Sequence, residues 1–220
     1  RQWDRLAADR VDQFVAISRT VQRRIQKVYR RDSSLIYPPI STDVGVSASE
    51  PDDYYLIVSR LVPYKRIDLA VRAFSKLGLP LRIIGDGRDR AILKRMAAPN
   101  VSFLGFVGSD AEVREQMARC RALVFPGEED FGITPLEAMS AGRPVVAYAA
   151  GGALDTVVEG VTGTFFREPT PESLAEAVLR MEGLSCSPDV LQAHAAKFGV
   201  ARFQRELDQA LRDLIDRVRA

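Results

Sequence analysis

The sequence predicts an α/β fold built on a doubly wound parallel sheet with flanking helices. Two observations predict this fold class. Short apolar runs with the length of buried strands alternate with longer amphipathic runs of helical periodicity between about residues 54 and 181. Strands that alternate with helices in this way form a parallel sheet covered on both faces. Several predicted strands also end in glycine or charged residues, and ligands of such sheets bind beyond the carboxyl ends of the strands.

The region before residue 54 has a less regular pattern. Residues 1–11 are charged and predict a helix, and the apolar run over 13–18 predicts a short strand. Ser18 or Thr20 is placed to cap a basic helix over 19–31. The run over 34–37 predicts a second strand that ends at two prolines, and residues 41–53, rich in Ser, Asp, Pro and Gly, predict a loop or linker.

The regular part predicts strands and helices in strict alternation. The apolar runs predict strands over residues 54–59, 81–84, 101–104, 121–125, 144–148 and 163–166. Apolar positions on one face predict helices near 65–77, 88–97 and 109–119, followed by a short helix that ends at Gly160 and another from Pro171 to Met181. Residues 188–220 predict one or two charged amphipathic helices.

The strand over 121–125 leads into the segment that organises the predicted site. We call residues 127–132, Gly-Glu-Glu-Asp-Phe-Gly, the acidic loop. A helix is predicted after it, with Thr134 as N-cap, Pro135 at the first helical position and Glu137 completing a capping box. This arrangement would present backbone N–H groups and the positive end of a helix dipole at the rim of the sheet, which suits an anion such as a diphosphate.

Composition and charge exclude several classes of function. The hydrophobic content of 46% and the net charge of +2 are those of an ordinary globular chain, and a charge this small argues against a dedicated nucleic-acid binder. Two cysteines and one histidine provide neither a zinc site nor a disulfide framework, and the cysteine usage fits a reduced, cytoplasmic chain. The chain does not begin with Met and is expected to be a piece of a longer protein.

Two cations follow the strand over 54–59. Arg60 comes directly after it and Lys65 five residues later, at the opening of the predicted helix. Cations at a helix N-terminus oppose the helix dipole, so an anion held between them is one interpretation. Two solvated surface cations are the other, and the residues alone favour neither.

Two glutamates flank the predicted anion site. Glu129 lies between Glu128 and Asp130, and because three adjacent acids repel one another, a structural role for all three is improbable. Glu137 either completes the capping box or accepts hydrogen bonds from sugar or ribose hydroxyls. No Asp-any-Asp pattern follows another strand to complete a magnesium site, so no metal is predicted.

A glycine pair ends the strand over 81–84. Gly85-Asp86-Gly87 lacks the third glycine of a dinucleotide fingerprint, so an NAD site is rejected. The pair is interpreted as a tight turn at which a ligand can approach the backbone of Gly85.

These motifs together resemble a known family. Four segments closely resemble the nucleotide-sugar half of retaining GT-B glycosyltransferases. They are residues 59–68 (Ser-Arg-Leu-Val-Pro-Tyr-Lys-Arg-Ile-Asp), Phe103-Leu104-Gly105, residues 129–139, and residues 141–147 with Gly151-Gly152. The resembling group includes bacterial mannosyltransferases, and the resemblance covers about residues 34–183. It implies a Rossmann-like C-terminal half of a GT-B fold. Residues 1–33 would then be the end of a preceding acceptor domain with its connecting helix, residues 34–183 the donor-binding domain, and residues 184–220 the crossover helices.

The resemblance also implies a role for each site residue. Arg60 and Lys65 match the pair that binds the donor diphosphate, Glu129 matches the group that contacts the transferred sugar, and Glu137 matches the ribose ligand. The remaining matches are the backbone that lies against sugar and phosphate and the edge that binds the base, and they comprise Phe131, Gly132, Ile133, Thr134, Phe106 and Val107. The family's mechanism needs no metal or other cofactor and retains the anomeric configuration.

The sequence therefore predicts the donor-binding domain of a hexosyltransferase. GDP-mannose is favoured slightly over a UDP-sugar, with a saccharide or lipid-linked saccharide as acceptor, and the isolated domain is expected to be inactive alone. The expected location is cytoplasmic, and the basic helix over 19–31 is compatible with peripheral contact with the inner membrane. A non-catalytic module that binds a nucleotide or a partner protein remains an alternative, as does another GT-B enzyme such as an epimerase or a phosphorylase.

Overall fold

A computed structural model describes residues 2–41 and 50–219, and its centre is one parallel sheet of six strands. These strands are β3 (Tyr55–Val58), β4 (Leu81–Ile84), β5 (Val101–Gly105), β6 (Leu123–Phe125), β7 (Val145–Tyr148) and β8 (Gly163–Phe166). Their order across the sheet is β5-β4-β3-β6-β7-β8. The order reverses between β3 and β6, so the carboxyl ends of these two strands flank the position where doubly wound sheets bind ligands. The predicted fold class is confirmed.

Helices cover both faces of this sheet, as the alternating pattern predicts. They are α3 (Ile67–Leu77), α4 (Arg90–Met96), α5 (Asp110–Arg119), α6 (Ile133–Ser140), α7 (Ala153–Thr156), α8 (Pro171–Glu182) and α9 (Pro188–Ala196). Helix α10 (Val200–Arg219) follows α9, and its described side chains contribute to neither apolar core of the sheet. One apolar core packs α3, α4 and α8 on one face through Phe74, Leu93 and Leu174. The other core packs α5, α6 and α9 on the opposite face through Met117, Leu136 and Leu191. The strands are buried on both faces, which explains why their sequences are almost continuously apolar.

The first two strands form a separate small sheet. Helix α1 (Gln2–Ala8) precedes β1 (Phe14–Ala16), and α2 (Arg19–Tyr29) connects β1 to β2 (Ser33–Leu35). Among the described residues, strands β1 and β2 pair in parallel with each other and with no other strand. The predicted donor-binding segment begins at residue 34, inside β2, so its first residues pair with β1 rather than with the main sheet. The predicted loop over 41–53 falls largely on residues 42–49, outside the described residues.

The start of α6 differs from the prediction. The helix begins at Ile133, its N-cap is Gly132 with φ +86°, and no side chain caps it. Thr134 is therefore the second helical residue rather than the N-cap, and Glu137 is too far along the helix to complete a capping box. Gly132 makes this possible because its positive φ turns the chain directly into the helix.

Several other helices differ in length from the prediction. A single 3-10 turn over Pro63–Lys65 precedes α3, and Arg66 separates them with φ +51°. Helix α7 occupies only Ala153–Thr156 of the predicted segment before Gly160. The described part of the predicted segment, residues 188–219, forms two helices, which a turn at residues 197–199 separates. Within the described residues, no helix is both long and apolar enough to cross a membrane.

We expect Gly163→Ala to destabilise the fold strongly. A Cβ at Gly163 would lie 1.9 Å from the carbonyl oxygen of Val145 in β7, so the two strands would have to separate. Overpacking of this kind typically costs about 1–3 kcal/mol. Urea unfolding measures the loss, with Gly183→Ala as the control, because there the nearest atom is 3.7 Å away. Equal stability of the two variants would contradict the packing described here.

Candidate functional site

Three loops meet at the carboxyl edge of β3, β4 and β5. The Gly85 N–H donates a hydrogen bond to the carbonyl oxygen of Gly105 at 2.8 Å. A Cβ at Gly85 would lie 1.9 Å from the carbonyl oxygen of Ser59, and its φ of +131° is also one that favours glycine. Gly85 therefore joins the ends of three strands, and the predicted tight turn is present at this position.

The acidic loop is fixed between two neighbouring segments. On one side, a Cβ at Gly127 would lie 2.8 Å from the Cα of Lys65. On the other side, the Gly152 N–H donates a hydrogen bond of 2.8 Å to the carbonyl oxygen of Glu129, and a Cβ at Gly152 would lie 2.2 Å from the Cα of Phe131. The glycines allow backbone-to-backbone contact, so the position of Glu129 is set by main-chain packing.

Lys65 and Glu129 form an ion pair in this part of the edge. The Nζ of Lys65 is in direct contact with Oε1 of Glu129, and only 15% and 25% of the two side chains are exposed. The structure thus brings together a cation that follows β3 and a carboxylate that follows β6, on the two sides of the strand-order reversal. A partly buried pair is less screened by salt than a surface pair.

Arg60 is placed differently from Lys65. It follows β3 and is exposed, and no side chain among residues 2–41 and 50–219 forms an ion pair or hydrogen bond with its guanidinium. A guanidinium presents a planar set of donors that suits phosphate oxygens. Arg60 therefore provides positive charge at the rim that no described carboxylate neutralises.

The start of α6 contributes backbone donors. Outside the helix, no N–H group from Phe131 to Thr134 donates a hydrogen bond to another described residue. The Phe131 side chain is buried and stacks on Tyr37, with ring centroids 5.7 Å apart, whereas Ile133 is exposed. The Phe131 side chain therefore anchors the segment, while its backbone amides remain available as they are at helix N-termini that bind anions.

Glu137 lies in α6 on the side of α5. The residue is exposed, yet protein atoms around its carboxyl desolvate the charged form and raise its pKa. Asp110 of α5 raises the pKa further, and Arg114 opposes this effect. Among the described residues no contact joins Glu137 to Lys65 or Glu129, so the structure does not bring the two predicted glutamates into direct contact.

Phe106 and Val107 follow β5. Phe106 is 79% exposed, which is unusual for an aromatic side chain, whereas Val107 packs against the core beside α5. An exposed aromatic ring at the rim offers a flat apolar surface next to the turn at Gly85.

Sequence reasoning missed a second set of contacts, which connect α2 to this edge. Arg24 donates a 2.8 Å hydrogen bond to Oδ1 of Asp130 in the acidic loop. The Arg19 N–H, at the start of α2, donates a 2.8 Å hydrogen bond to Oδ2 of Asp155 in α7, whose side chain is only 3% exposed. Asp155 thus caps α2 together with Ser18, whose Oγ accepts from the Val21 N–H.

A large cavity lies apart from these residues. It has a volume of about 990 Å³ and lies between the β1–β2 sheet and α10. Arg31, one of the cations that line it, donates to backbone carbonyls of residues 8 and 11, which indicates a structural role. In the part of the chain that the structure describes, no group of three or more His, Cys, Asp or Glu side chains is arranged to hold a metal ion.

Comparisons with known proteins match this chain to one family. Residues 41–197 match the family described as "Glycosyl transferases group 1". An uncharacterized glycosyltransferase of Methanocaldococcus jannaschii is 24% identical over 185 residues, which are 82% of this chain and 52% of that protein. A glycogen synthase of Pseudomonas aeruginosa is 35% identical over 152 residues, which are 65% of this chain and 29% of that protein.

Solved structures show the same fold. The lipopolysaccharide outer core galactosyltransferase WaaB, in its apo form, matches with a TM-score of 0.82 and 22% identity over 92% of this chain and 62% of that chain. The Anabaena protein HepE, in complex with UDP and glucose, matches with a TM-score of 0.77 and 21% identity over 91% of this chain and 63% of that chain. The chain spans about half or less of the two curated relatives and less than two thirds of either solved chain.

We expect Asp155→Ala to destabilise the fold more than Arg19→Ala. Removal of the buried carboxylate leaves the Arg19 N–H unpaired at the start of α2, and loss of an N-cap costs about 1 kcal/mol or more. The Arg19 side chain is exposed, and loss of a surface ion pair costs about 0–1 kcal/mol. Urea unfolding of both variants measures the difference. Equal losses would show that the capping hydrogen bond contributes nothing.

Proposed function

Because this chain belongs to the glycosyl transferases group 1 family, we propose that it is the donor-binding part of a retaining hexosyltransferase. The proposed reaction transfers a hexose from a nucleoside-diphosphate sugar to a saccharide or lipid-linked saccharide, with acceptor contacts made largely outside this chain. The observation that carries the proposal is the contact of Lys65 with Glu129 at the reversal of strand order, because it combines a phosphate-binding cation with a hydroxyl-binding carboxylate.

In this proposal the cations act on the leaving group. As the bond between the anomeric carbon and the diphosphate oxygen breaks, negative charge develops on the diphosphate. Arg60, Lys65 and the backbone amides at the start of α6 stabilise that charge, and positioned donors of this kind supply much of an enzyme's rate enhancement. The departing phosphate accepts the proton of the acceptor hydroxyl, so the new bond forms on the same face and the anomeric configuration is retained.

The acidic residues act on hydroxyl groups. Glu129 accepts hydrogen bonds from hydroxyls of the transferred hexose, and Glu137 accepts them from the ribose. The turn at Gly85, the exposed ring of Phe106 and the neighbouring Val107 hold the base. We propose that the reaction proceeds without a metal ion or other cofactor, because side-chain and main-chain donors supply the positive charge.

The donor sugar remains a choice between two classes. GDP-mannose is our first candidate, because the sequence motifs resemble bacterial mannosyltransferases. The solved HepE complex contains UDP and glucose, which supports a nucleoside diphosphate as the shared chemistry and keeps a UDP-hexose as the second candidate. We place the enzyme in the cytoplasm, where α2 is a candidate for peripheral contact with the inner membrane.

Calorimetric titration of the chain with GDP, UDP and ADP tests the proposal. We expect weak binding of at least one nucleoside diphosphate and no transfer of sugar by this chain alone. Lys65→Ala and Arg60→Ala should each weaken binding about tenfold or more, since a hydrogen bond to a charged group is worth about 1.5–3 kcal/mol. Glu129→Gln should strengthen binding of the bare diphosphate, because Lys65 is released from its carboxylate partner.

A folded sample that releases no heat with any of the three nucleotides would defeat the proposal. Lys76→Ala is the matched control, because Lys76 is an exposed cation in α3 whose partner, Glu172, is also exposed. An unchanged affinity in Lys65→Ala would remove the diphosphate role from Lys65. Full transfer activity of Glu129→Gln in the longer protein would instead remove the proposed sugar-binding role from Glu129.

Glu137 gives a prediction that separates binding from stability. Because the folded state raises its pKa, the folded protein binds the proton more tightly than the unfolded chain. The stability from protonation is present at low pH and is lost as pH rises through the raised pKa. Glu137→Gln should therefore be at least as stable as the wild type at neutral pH by urea unfolding, yet bind the nucleotide more weakly. A destabilised Glu137→Gln would indicate a structural role instead.

A further inference from the structure

A second cleft lies beside the acidic loop and has no role in the proposed donor site. Its volume is about 410 Å³, and it opens between α2, the 3-10 turn over Pro63–Lys65, the acidic loop and the end of β7. We call it the side cleft. The residues that determine its chemistry are Arg24, Tyr64, Arg66, Glu128, Asp130 and Tyr148.

The side chains of the acidic loop divide between two places. Glu128 and Asp130 line the side cleft, whereas Glu129 between them contacts Lys65. Lys65 is itself close to the cleft, because its Nζ lies 5.2 Å from the centre of the ring of Tyr64, which lines the cleft. Any molecule in the side cleft is therefore a direct neighbour of the group proposed to hold the transferred sugar.

The charges of the side cleft favour a neutral ligand. Arg24 and Arg66 balance Glu128 and Asp130. Arg24 is already bound to Asp130, and Arg66 pairs with Asp68 at 3.2 Å. Glu128 is exposed, and no described residue forms a hydrogen bond or ion pair with its carboxylate. The group of the cleft that can still bind a ligand is thus the Glu128 carboxylate, a hydrogen-bond acceptor that repels an anion and attracts hydroxyl groups.

Aromatic surface complements this acceptor. Tyr64 is 59% exposed, and Tyr148 is half-buried with its ring packed 5.2 Å from that of Phe166. The negative face of an aromatic ring attracts the weakly positive C–H groups on the flat face of a sugar. Aromatic surface beside a few fixed polar groups in a concavity is also the usual composition of a small-molecule site.

We propose that the side cleft binds a neutral saccharide, with Glu128 accepting its hydroxyl groups and Tyr64 supporting its C–H face. This inference rests on the proposed function for one further step: the saccharide held here is the part of the acceptor that this chain contacts, while the larger part of the acceptor is bound outside this chain. Its neighbour Glu129 would hold the donor hexose, so residues 128 and 129 would hold the two sugars next to each other, as transfer between them requires.

Titration of the nucleotide-free chain with a neutral sugar tests the binding claim independently of the donor site. Methyl α-D-mannopyranoside and maltotriose serve as probes, and backbone amide shifts in a ¹H–¹⁵N NMR spectrum report both affinity and location. We expect millimolar binding that moves the amides of Tyr64 and Glu128. Glu128→Gln should weaken it about threefold to tenfold and leave nucleoside diphosphate affinity unchanged.

Glu176→Gln is the matched control, because Glu176 is also exposed and does not line the cleft. Unchanged sugar affinity in Glu128→Gln, or no sugar binding by a chain that binds a nucleoside diphosphate, would overturn the inference. Loss of sugar binding in Glu129→Gln but not in Glu128→Gln would assign the sugar to the donor site and also overturn it. So would tighter binding of inorganic phosphate or of phosphatidylglycerol vesicles in Glu128→Gln, since the cleft would then be an anion site.

Discussion

The close approach of two backbones, the acidic loop and the Gly151–Gly152 turn, is the constraint on which the whole site depends. The hydrogen bond from Gly152 to the carbonyl of Glu129 and the contact with Phe131 leave no space for a Cβ on the turn. Main-chain contact on both sides fixes the backbone of Glu129, and the ion pair with Lys65 holds its carboxylate. Glu129 can therefore stay beside Lys65 even though the loop carries three adjacent acids.

Those three acids are tolerated because their surroundings separate them. Glu129 pairs with Lys65 from the segment after β3, and Asp130 pairs with Arg24 from α2. Glu128 faces the side cleft. Repulsion between neighbouring carboxylates is offset by cations that come from two different parts of the chain. The N-terminal segment is thus part of the site, since α2 contacts both the acidic loop and Asp155.

The sequence predicted the elements well where the signal was local. Apolar runs identified all six strands of the main sheet, because a strand buried on both faces must be apolar along its length. The start of α6 was predicted wrongly, because Thr134, Pro135 and Glu137 imitate a capping box, while Gly132 turns the chain two residues before Thr134 and the helix begins at Ile133. The contacts of Arg24 with Asp130 and of Arg19 with Asp155 join residues more than 100 positions apart, so no local sequence pattern predicts them. The sequence likewise gave no sign that β1 and β2 pair apart from the main sheet.

The Lys65–Glu129 pair also has a consequence for selectivity among anions. A ligand that takes Lys65 must first separate it from a carboxylate that stays close by. Inorganic phosphate would leave the Glu129 carboxylate next to a second negative charge. A nucleotide sugar would instead donate hydrogen bonds from its hydroxyl groups to that carboxylate in place of Lys65. The site would therefore discriminate against the phosphate that is abundant in cells without any steric barrier. Only a ligand with both a phosphate and hydroxyl groups compensates both partners of the separated ion pair.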